Sequence, residues 1–401
     1  MRPSQACSGG QSDYALPDMM TSRERVLTAL EHRQPDRVPI DLGGNQTGIH
    51  KFAYRRLLEQ LGLKEDLVIM DLVQQLAKPS EAVLQRLRVD TRYVWAQGAA
   101  SFQGGVVQRQ RDGRLWHDFT DEFGITWSMP DEHPYYFDIS HSPLAGLSLE
   151  QIKAYPFPTG DDPSRFAGLR ERALALKQHT PYAVISGISG VVYEICWYMR
   201  GLESLYADMI QQPEIFEAII ERTLKFWLDW FRLFLDEVGD VVDVIMIGDD
   251  LAGQKGPLFS PAIYRAVVKP RQKRLVQYIR SRTQAKIWYH SCGSVMSCLP
   301  DLLDNGIDII NPVQVSAKNM DPAKLKTLFG DKVVFWGGGV DSQHILPRGT
   351  PAEVRENVRH NLEAFKPGGG YVFNNVHNLQ ADVPAENILA MFDAAFEFGK
   401  Y

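Results

Sequence analysis

Three side chains in this sequence carry ligand chemistry at spacings that matter. His290 and Cys292 stand two residues apart, and side chains at i and i+2 of an extended segment fall on the same side. Imidazole and cysteine thiolate are standard zinc ligands. His377 offers a third ligand further along the chain. Three protein ligands with one position left open is the catalytic zinc pattern, whereas structural zinc sites are closed by four. The pair Asp249-Asp250 is placed either to complete such a shell or to hydrogen-bond a ligand histidine from outside it. An H-x-C pair alone is weak evidence. The bland alternative makes His290 a hydrogen-bonded strand-end histidine and Cys292 a small core residue.

Other motifs carry less. Cys298 lies on the apolar face of a helical pattern with Val295 and Leu302, and Cys196 sits in the run Cys196-Trp197-Tyr198; packing explains both. Cys7 belongs to the N-terminal tail. Glycines 337–339 follow an apolar run, so they allow close backbone approach to a ligand or form a plain turn. Glycines 368–370 read as a turn. The chain has no Walker A loop, no GxGxxG and no GxSxG, which removes the usual signatures of nucleotide, flavin and serine-hydrolase chemistry.

The elements that must position these residues repeat. Short apolar runs occur at Val38–Leu42, Asp90–Ala96, Ala183–Ser186, Val242–Ile247, Ile287–Tyr289, Ile307–Ile310, Val333–Trp336 and Tyr371–Phe373. Helical patterns separate most of them. The first opens at Thr21 with capping-box spacing to Glu24; the longest opens near Pro213, and others cover about 261–282, 321–329, 351–364 and 385–398. Strand and helix alternating in this way imply parallel strands with crossover helices. The expected fold is α/β, a (β/α)8 TIM-type barrel over residues 21–401, with an open doubly wound sheet as the alternative. Residues 104–139 break the rhythm. Asp112-Gly113 there marks a hairpin, so a small antiparallel insertion between strands two and three is expected.

In such a barrel the strand C-termini share one rim. Strand four then runs out into Asp249-Asp250, strand five into His290 and Cys292, strand seven into Asp341, and strand eight into Asn375 and His377. Asn45 follows strand one, Tyr193 follows strand three, and Gln254 lies just beyond the aspartate pair. Asn45, Tyr193, Gln254, Asp341 and Asn375 are the expected substrate-binding residues, with a purely structural role as the alternative for Tyr193 and Gln254, and Asp249 and Asp250 are the catalytic candidates.

Composition bounds the partners. The chain has 401 residues, 44% hydrophobic and 23% charged, with a formal net charge of −6. It has no long block of one charge, which argues against nucleic acid or an anionic membrane as partner. Four irregularly spaced cysteines point to a reducing cytoplasm. No apolar run reaches the length of about 18 residues needed to span a bilayer. The first 20 residues lack the apolar core of a signal peptide; they are expected to be a disordered tail, and Met19 or Met20 is a candidate start.

The runs TSRERVLTALEHRQPDRVPIDLGG, GDDLAGQKGPLFSPAIYRAVVKPR and VHNLQADVPAENILAMFDA resemble signatures of the uroporphyrinogen decarboxylase-like superfamily. The resemblance covers about residues 20–401 and implies a (β/α)8 barrel. One branch decarboxylates uroporphyrinogen without metal and grips its carboxylates with an arginine-rich run after the first strand. Here that place reads Gly43-Gly44-Asn45-Gln46-Thr47, with no arginine. The other branch transfers methyl groups between corrinoid proteins and thiols or other acceptors. It binds zinc through an H-x-C pair and a cysteine seven residues before a Pro-x-Glu-Asn run. His290 and Cys292 match the pair, and His377 stands seven residues before Pro384-Ala385-Glu386-Asn387. Replacing that thiolate by neutral imidazole leaves the ion a stronger Lewis acid.

The resemblance thus implies a zinc-dependent methyltransferase acting between a small methylated substrate or thiol and a corrinoid protein. No Asp-x-His-x-x-Gly corrinoid signature occurs in the chain, so any corrinoid would arrive on a separate partner. The alternatives are a metal-free decarboxylase of a carboxylated substrate and a non-catalytic binding protein. The 104–139 segment is open to two roles, a homodimer contact or a corrinoid-protein contact.

Overall fold

A computed structural model describes residues 20–401; the expected tail otherwise lies outside the described residues. Its centre is a parallel sheet of seven strands: β1 (Thr91–Tyr93), β2 (Ala183–Gly187), β3 (Val244–Gly248), β4 (Lys286–His290), β5 (Ile309–Asn311), β6 (Val334–Trp336) and β7 (Tyr371–Val372). The strands neighbour one another in chain order from β1 to β7. This is an α/β fold whose parallel sheet is consistent with a TIM-like barrel.

Alternation along the strands sorts the core into two groups. Ile185, Val244, Met246, Trp288, Ile309, Val334, Trp336 and Val372 form one buried cluster on one face of the sheet. Trp288 and Trp336 stack within it at 4.6 Å. Val184, Ile245, Ile247, Ile287, Tyr289, Ile310 and Phe335 face the other way, into the larger cluster with the helices. The helix α1 (Ser22–Leu30) starts at a Thr21–Glu24 capping box and sends Val26 and Leu30 into the first cluster. The 26-residue helix α2 (Pro213–Val238) has proline in its first turn and buries Ile215, Phe216, Ile219, Ile220 and Trp230 along one stripe.

The run expected as a first strand forms a single isolated bridge, between Ile40 and Phe373. The Phe373 amide donates to the Pro39 carbonyl at 2.8 Å, Asp41 N–H to the Phe373 carbonyl at 2.9 Å, and Asp90 N–H to the Ile40 carbonyl at 2.7 Å. Residues 39–41 therefore bond to chain flanking both sheet edges. A regular ladder is interrupted because Pro39 has no N–H to give and the Ile40 amide is taken by the Asp90 carboxylate at 2.8 Å.

Between β1 and β2 in the chain lies a four-stranded antiparallel sheet: Val107–Arg111, Arg114–Thr120, Thr126–Pro130 and Asp138–His141. Asp112 and Gly113, both at positive φ, make its first turn, as a two-residue hairpin requires. A further three-stranded sheet of Ile49–His50, Ile69–Asp71 and Leu76–Ala77 has no counterpart in the sequence reading. The glycines 337–339 pack against chain: a Cβ on Gly338 would lie 2.6 Å from the Val313 carbonyl oxygen, and one on Gly339 2.2 Å from the Phe373 ring. No helix among the described residues is long and apolar enough to cross a membrane.

Candidate active site

His290 ends β4 two residues after the inward-facing Trp288, so its ring points into the same space. Its Nε2 lies 3.6 Å from the Cys292 thiol, and its ring centroid is 5.2 Å from that of His377. The ligand atoms of His290, Cys292 and His377 all fall within 4.8 Å of one another. Two imidazoles and one soft sulfur are a donor set that suits zinc. The three residues meet because β4 ends at His290 and the chain after β7 turns back past it.

Each histidine is held from outside. Asn311, at the end of β5, places its Oδ1 2.7 Å from His290 Nδ1, while its Nδ2 donates to the Trp336 carbonyl at 3.0 Å. The second bond fixes which way the amide faces. His290 Nδ1 is therefore the donor, and the Nε2 lone pair points toward Cys292. His377 Nε2 lies 2.7 Å from Gln46 Oε1, a contact that holds this ring from outside. Burial lowers the pKa of His290 to about 4. Burial, with the positive charge of His290 beside it, lowers His377 to about 3. Both rings are thus neutral ligands at physiological pH. Burial and the negative charge of Asp250 push the Cys292 thiol well above its ordinary value.

The two adjacent aspartates divide. Asp250 accepts the Cys292 amide at 2.8 Å, and its Oδ1 lies 3.9 Å from His290 Nε2. Asp249 is fully buried and faces away. Its Oδ1 accepts the amides of Val192, Tyr193 and Glu194 at 2.8–3.0 Å, and its Oδ2 accepts from Gln272 at 2.9 Å. It caps the start of the helix Glu194–Arg200. Burial outweighs these bonds and raises its carboxyl to about 6.

His290, His377 and Asp250 open onto a cavity of about 810 Å³, lined also by Asn45, Gln46, Asp71 and Glu194. Of the expected substrate-binding residues, only Asn45 lines it. Tyr193 is buried with its ring 4.8 Å from Phe259. Gln254 is exposed on a hairpin turn, and Asp341 accepts the Gln343 and His344 amides. Asn375 is buried and donates to the His377 carbonyl. Cys196 and Cys298 are buried in the core, as expected.

Four carboxylates of the lining, Asp71, Asp121, Glu122 and Glu194, have no counterpart among the expected site residues, and two of them bear on the site. Glu194 accepts from the Tyr198 hydroxyl and from the Asp250 amide at 3.4 Å. Burial, then the charge of Asp250, raises it to about 8, so it holds a proton at neutral pH. Its signal was its place at the start of the helix that follows β2. Asp71 ends the strand Ile69–Asp71 and accepts from Gln74 at 2.8 and 3.0 Å; burial raises its pKa. It lay in a stretch where no element was expected.

The sequence profile of the uroporphyrinogen decarboxylase (URO-D) family matches residues 124–398, more than half the chain. The chain belongs to that family. Curated relatives are uroporphyrinogen decarboxylases at modest identity. The protein from Actinobacillus succinogenes is 38% identical over 78 residues, which is 20% of this chain and 21% of the relative. That from Coxiella burnetii is 21% identical over 243 residues, 58% of this chain and 62% of the relative. The chain therefore spans less than two thirds of these relatives. Among solved structures, a methyltransferase from Methanosarcina mazei superposes with a TM-score of 0.63 at 19% identity, over 94% of this chain and 99% of that one. That likeness shows a shared fold. The URO-D superfamily is one of enzymes, and the cavity of this member carries a His-Cys-His group able to hold a metal.

Proposed function

We propose that this URO-D family member is a zinc-dependent methyltransferase moving a methyl group between a small methylated substrate or thiol and a corrinoid protein, the corrinoid being carried by a separate partner. The observation that carries this reading is the convergence of His290, Cys292 and His377 within 4.8 Å at the edge of a large cavity. Zinc there supplies Lewis acidity toward a sulfur or oxygen atom of the substrate. Asn311 and Gln46 orient the two imidazoles. Asp250 fixes the Cys292 backbone, Glu194 holds a proton beside Asp250, and Asp249 positions the segment that carries Glu194. Asn45 contacts substrate in this reading. Residues 21–401 form one barrel domain closed by residues 38–41 as the eighth stave, with about 104–139 inserted between β1 and β2. The setting is cytoplasmic, and a homodimer is compatible with it.

The test is metal content by plasma mass spectrometry on the purified full chain, beside Cys292→Ser and His377→Ala. About one zinc per chain, lost in both variants, is expected. Absence of metal from all three after zinc is supplied would sink the reading. A second reading, metal-free decarboxylation of a carboxylated substrate, draws on the relatives' activity and on Asp71, a carboxyl raised by burial in the same cavity. Turnover of a carboxylated compound by metal-free protein would select it.

A further inference from the structure

The cavity beside the His-Cys-His group has a wall that the reading above leaves unused. Phe119 and Trp127 stand opposite each other in register on two strands of the antiparallel sheet, rings 6.2 Å apart and tilted only 10°. Both line the cavity, with Trp95, Phe102, Tyr198 and Trp227. Trp127 meets Tyr198 at 5.5 Å. Tyr198 bonds to Glu194, Glu194 to the Asp250 amide, and Asp250 to the Cys292 amide, so the aromatic wall joins the ligand group through an unbroken line of contacts.

Charge narrows what such a wall can take. Among the described residues, the only cationic side chain in the lining is Arg165, against Asp71, Asp121, Glu122, Glu194 and Asp250. Arg165 is itself committed to Glu122, bonding both carboxylate oxygens. An anionic substrate would therefore enter without a partner for its charge, at a steep desolvation cost. The carboxylates are also engaged: Asp121 accepts from the Trp127 indole and two amides, and Asp71 from Gln74. A quaternary ammonium has no lone pair for a Lewis acid to engage. The aromatic wall and the committed charges fit an uncharged molecule with a flat π-face and a methylated atom that still has a lone pair.

We propose that the cavity binds an uncharged aromatic methyl ether, its ring against Phe119 and Trp127 and its methoxy group toward His290, Cys292 and His377. This rests on the methyltransferase reading for the fate of the methyl group. In that reaction the CH3–O bond breaks with its electron pair left on the aryl oxygen, which takes up a proton. The methyl carbon bonds to the electron pair of a reduced corrinoid, the co-reactant carried by the partner.

Binding is tested apart from turnover, by calorimetry on the full chain with 2-methoxyphenol, its saturated analogue 2-methoxycyclohexanol, and 4-methoxybenzoate. The ring compound is expected to bind about tenfold tighter than either of the others. Phe119→Leu keeps an apolar wall without the ring; it should weaken 2-methoxyphenol about fivefold and leave the saturated analogue unchanged, with an unaltered thermal melt. Trp95→Leu is the second variant should Phe119→Leu fold poorly. Equal affinity for ring and saturated analogue, tighter binding of the benzoate, or indifference to both substitutions overturns the proposal. Ring binding retained in Cys292→Ser supports it independently of the metal. Loss of methyl transfer with ring binding intact refutes the methyltransferase reading alone.

Discussion

Asn311→Ala should cost this protein metal affinity without touching a ligand. Asn311 is fully buried, and its Oδ1 accepts from His290 Nδ1 at 2.7 Å. Its Nδ2 is committed to the Trp336 carbonyl, so the amide cannot turn round without setting oxygen against oxygen. Truncation leaves the imidazole N–H without an acceptor in a wall where His290 itself is only 3% exposed, too closed for water to substitute freely. The ring is then released to its other tautomer, which puts the proton on Nε2, the nitrogen facing Cys292. Removing a partner of this kind typically costs 10–100-fold in metal affinity, about 1.4–2.7 kcal/mol. The assay is competition with a zinc chelator of known affinity, alongside a thermal melt of the metal-free protein. An affinity within twofold of the parent in a folded variant would refute the claim that Asn311 sets the metal-facing nitrogen.

Two further outcomes follow from the same geometry. Zinc affinity should rise about tenfold per pH unit between pH 6 and 8: both histidines are already neutral there, having been lowered to about 4 and 3, while the Cys292 thiol, raised by burial, must release one proton on binding. Chelator competition at several pH values checks the slope, and a flat profile would contradict it. Asp249→Ala should destabilise the fold by about 3–5 kcal/mol, because three buried amides and Gln272 lose their acceptor together. Asp249→Asn, which keeps one acceptor oxygen, should lose clearly less in denaturant titrations; equal losses would show that the capping bonds do not matter.

The sequence announced what depends on local pattern and concealed what depends on direction. Strands with continuous apolar runs, such as β3 and β4, stand within a few residues of their expected bounds because burial on both faces leaves no room for polar residues. The ligand group was legible because His290, Cys292 and His377 all follow strand ends, and a barrel gathers strand ends. Asp249 and Asp250 were indistinguishable on paper. Adjacent side chains leave an extended chain on opposite sides, and only the position of the helix Glu194–Arg200 decides which one meets the cavity and which one caps backbone. Glu194 and Asp71 were hidden for a related reason: their chemistry comes from neighbours distant in sequence. The 38–42 segment reads as a full strand because its apolar pattern is right, but Pro39 and the Asp90 carboxylate remove two of its ladder bonds.

The two readings proposed for this site make different demands on charge, and the charges around the cavity bear on which is in use. Decarboxylating a polycarboxylate needs cations that are free to meet the substrate; the one arginine in the lining among the described residues is already paired with Glu122. A zinc ion among two neutral imidazoles and one thiolate would keep a net charge of +1, and Asp250, 3.9 Å from His290 Nε2, would bring the immediate surroundings to neutrality. Such a site gains most when negative charge develops on a substrate atom as a bond to it breaks. A neutral substrate that becomes an anion on losing its methyl group fits that arrangement, and one that arrives already charged does not.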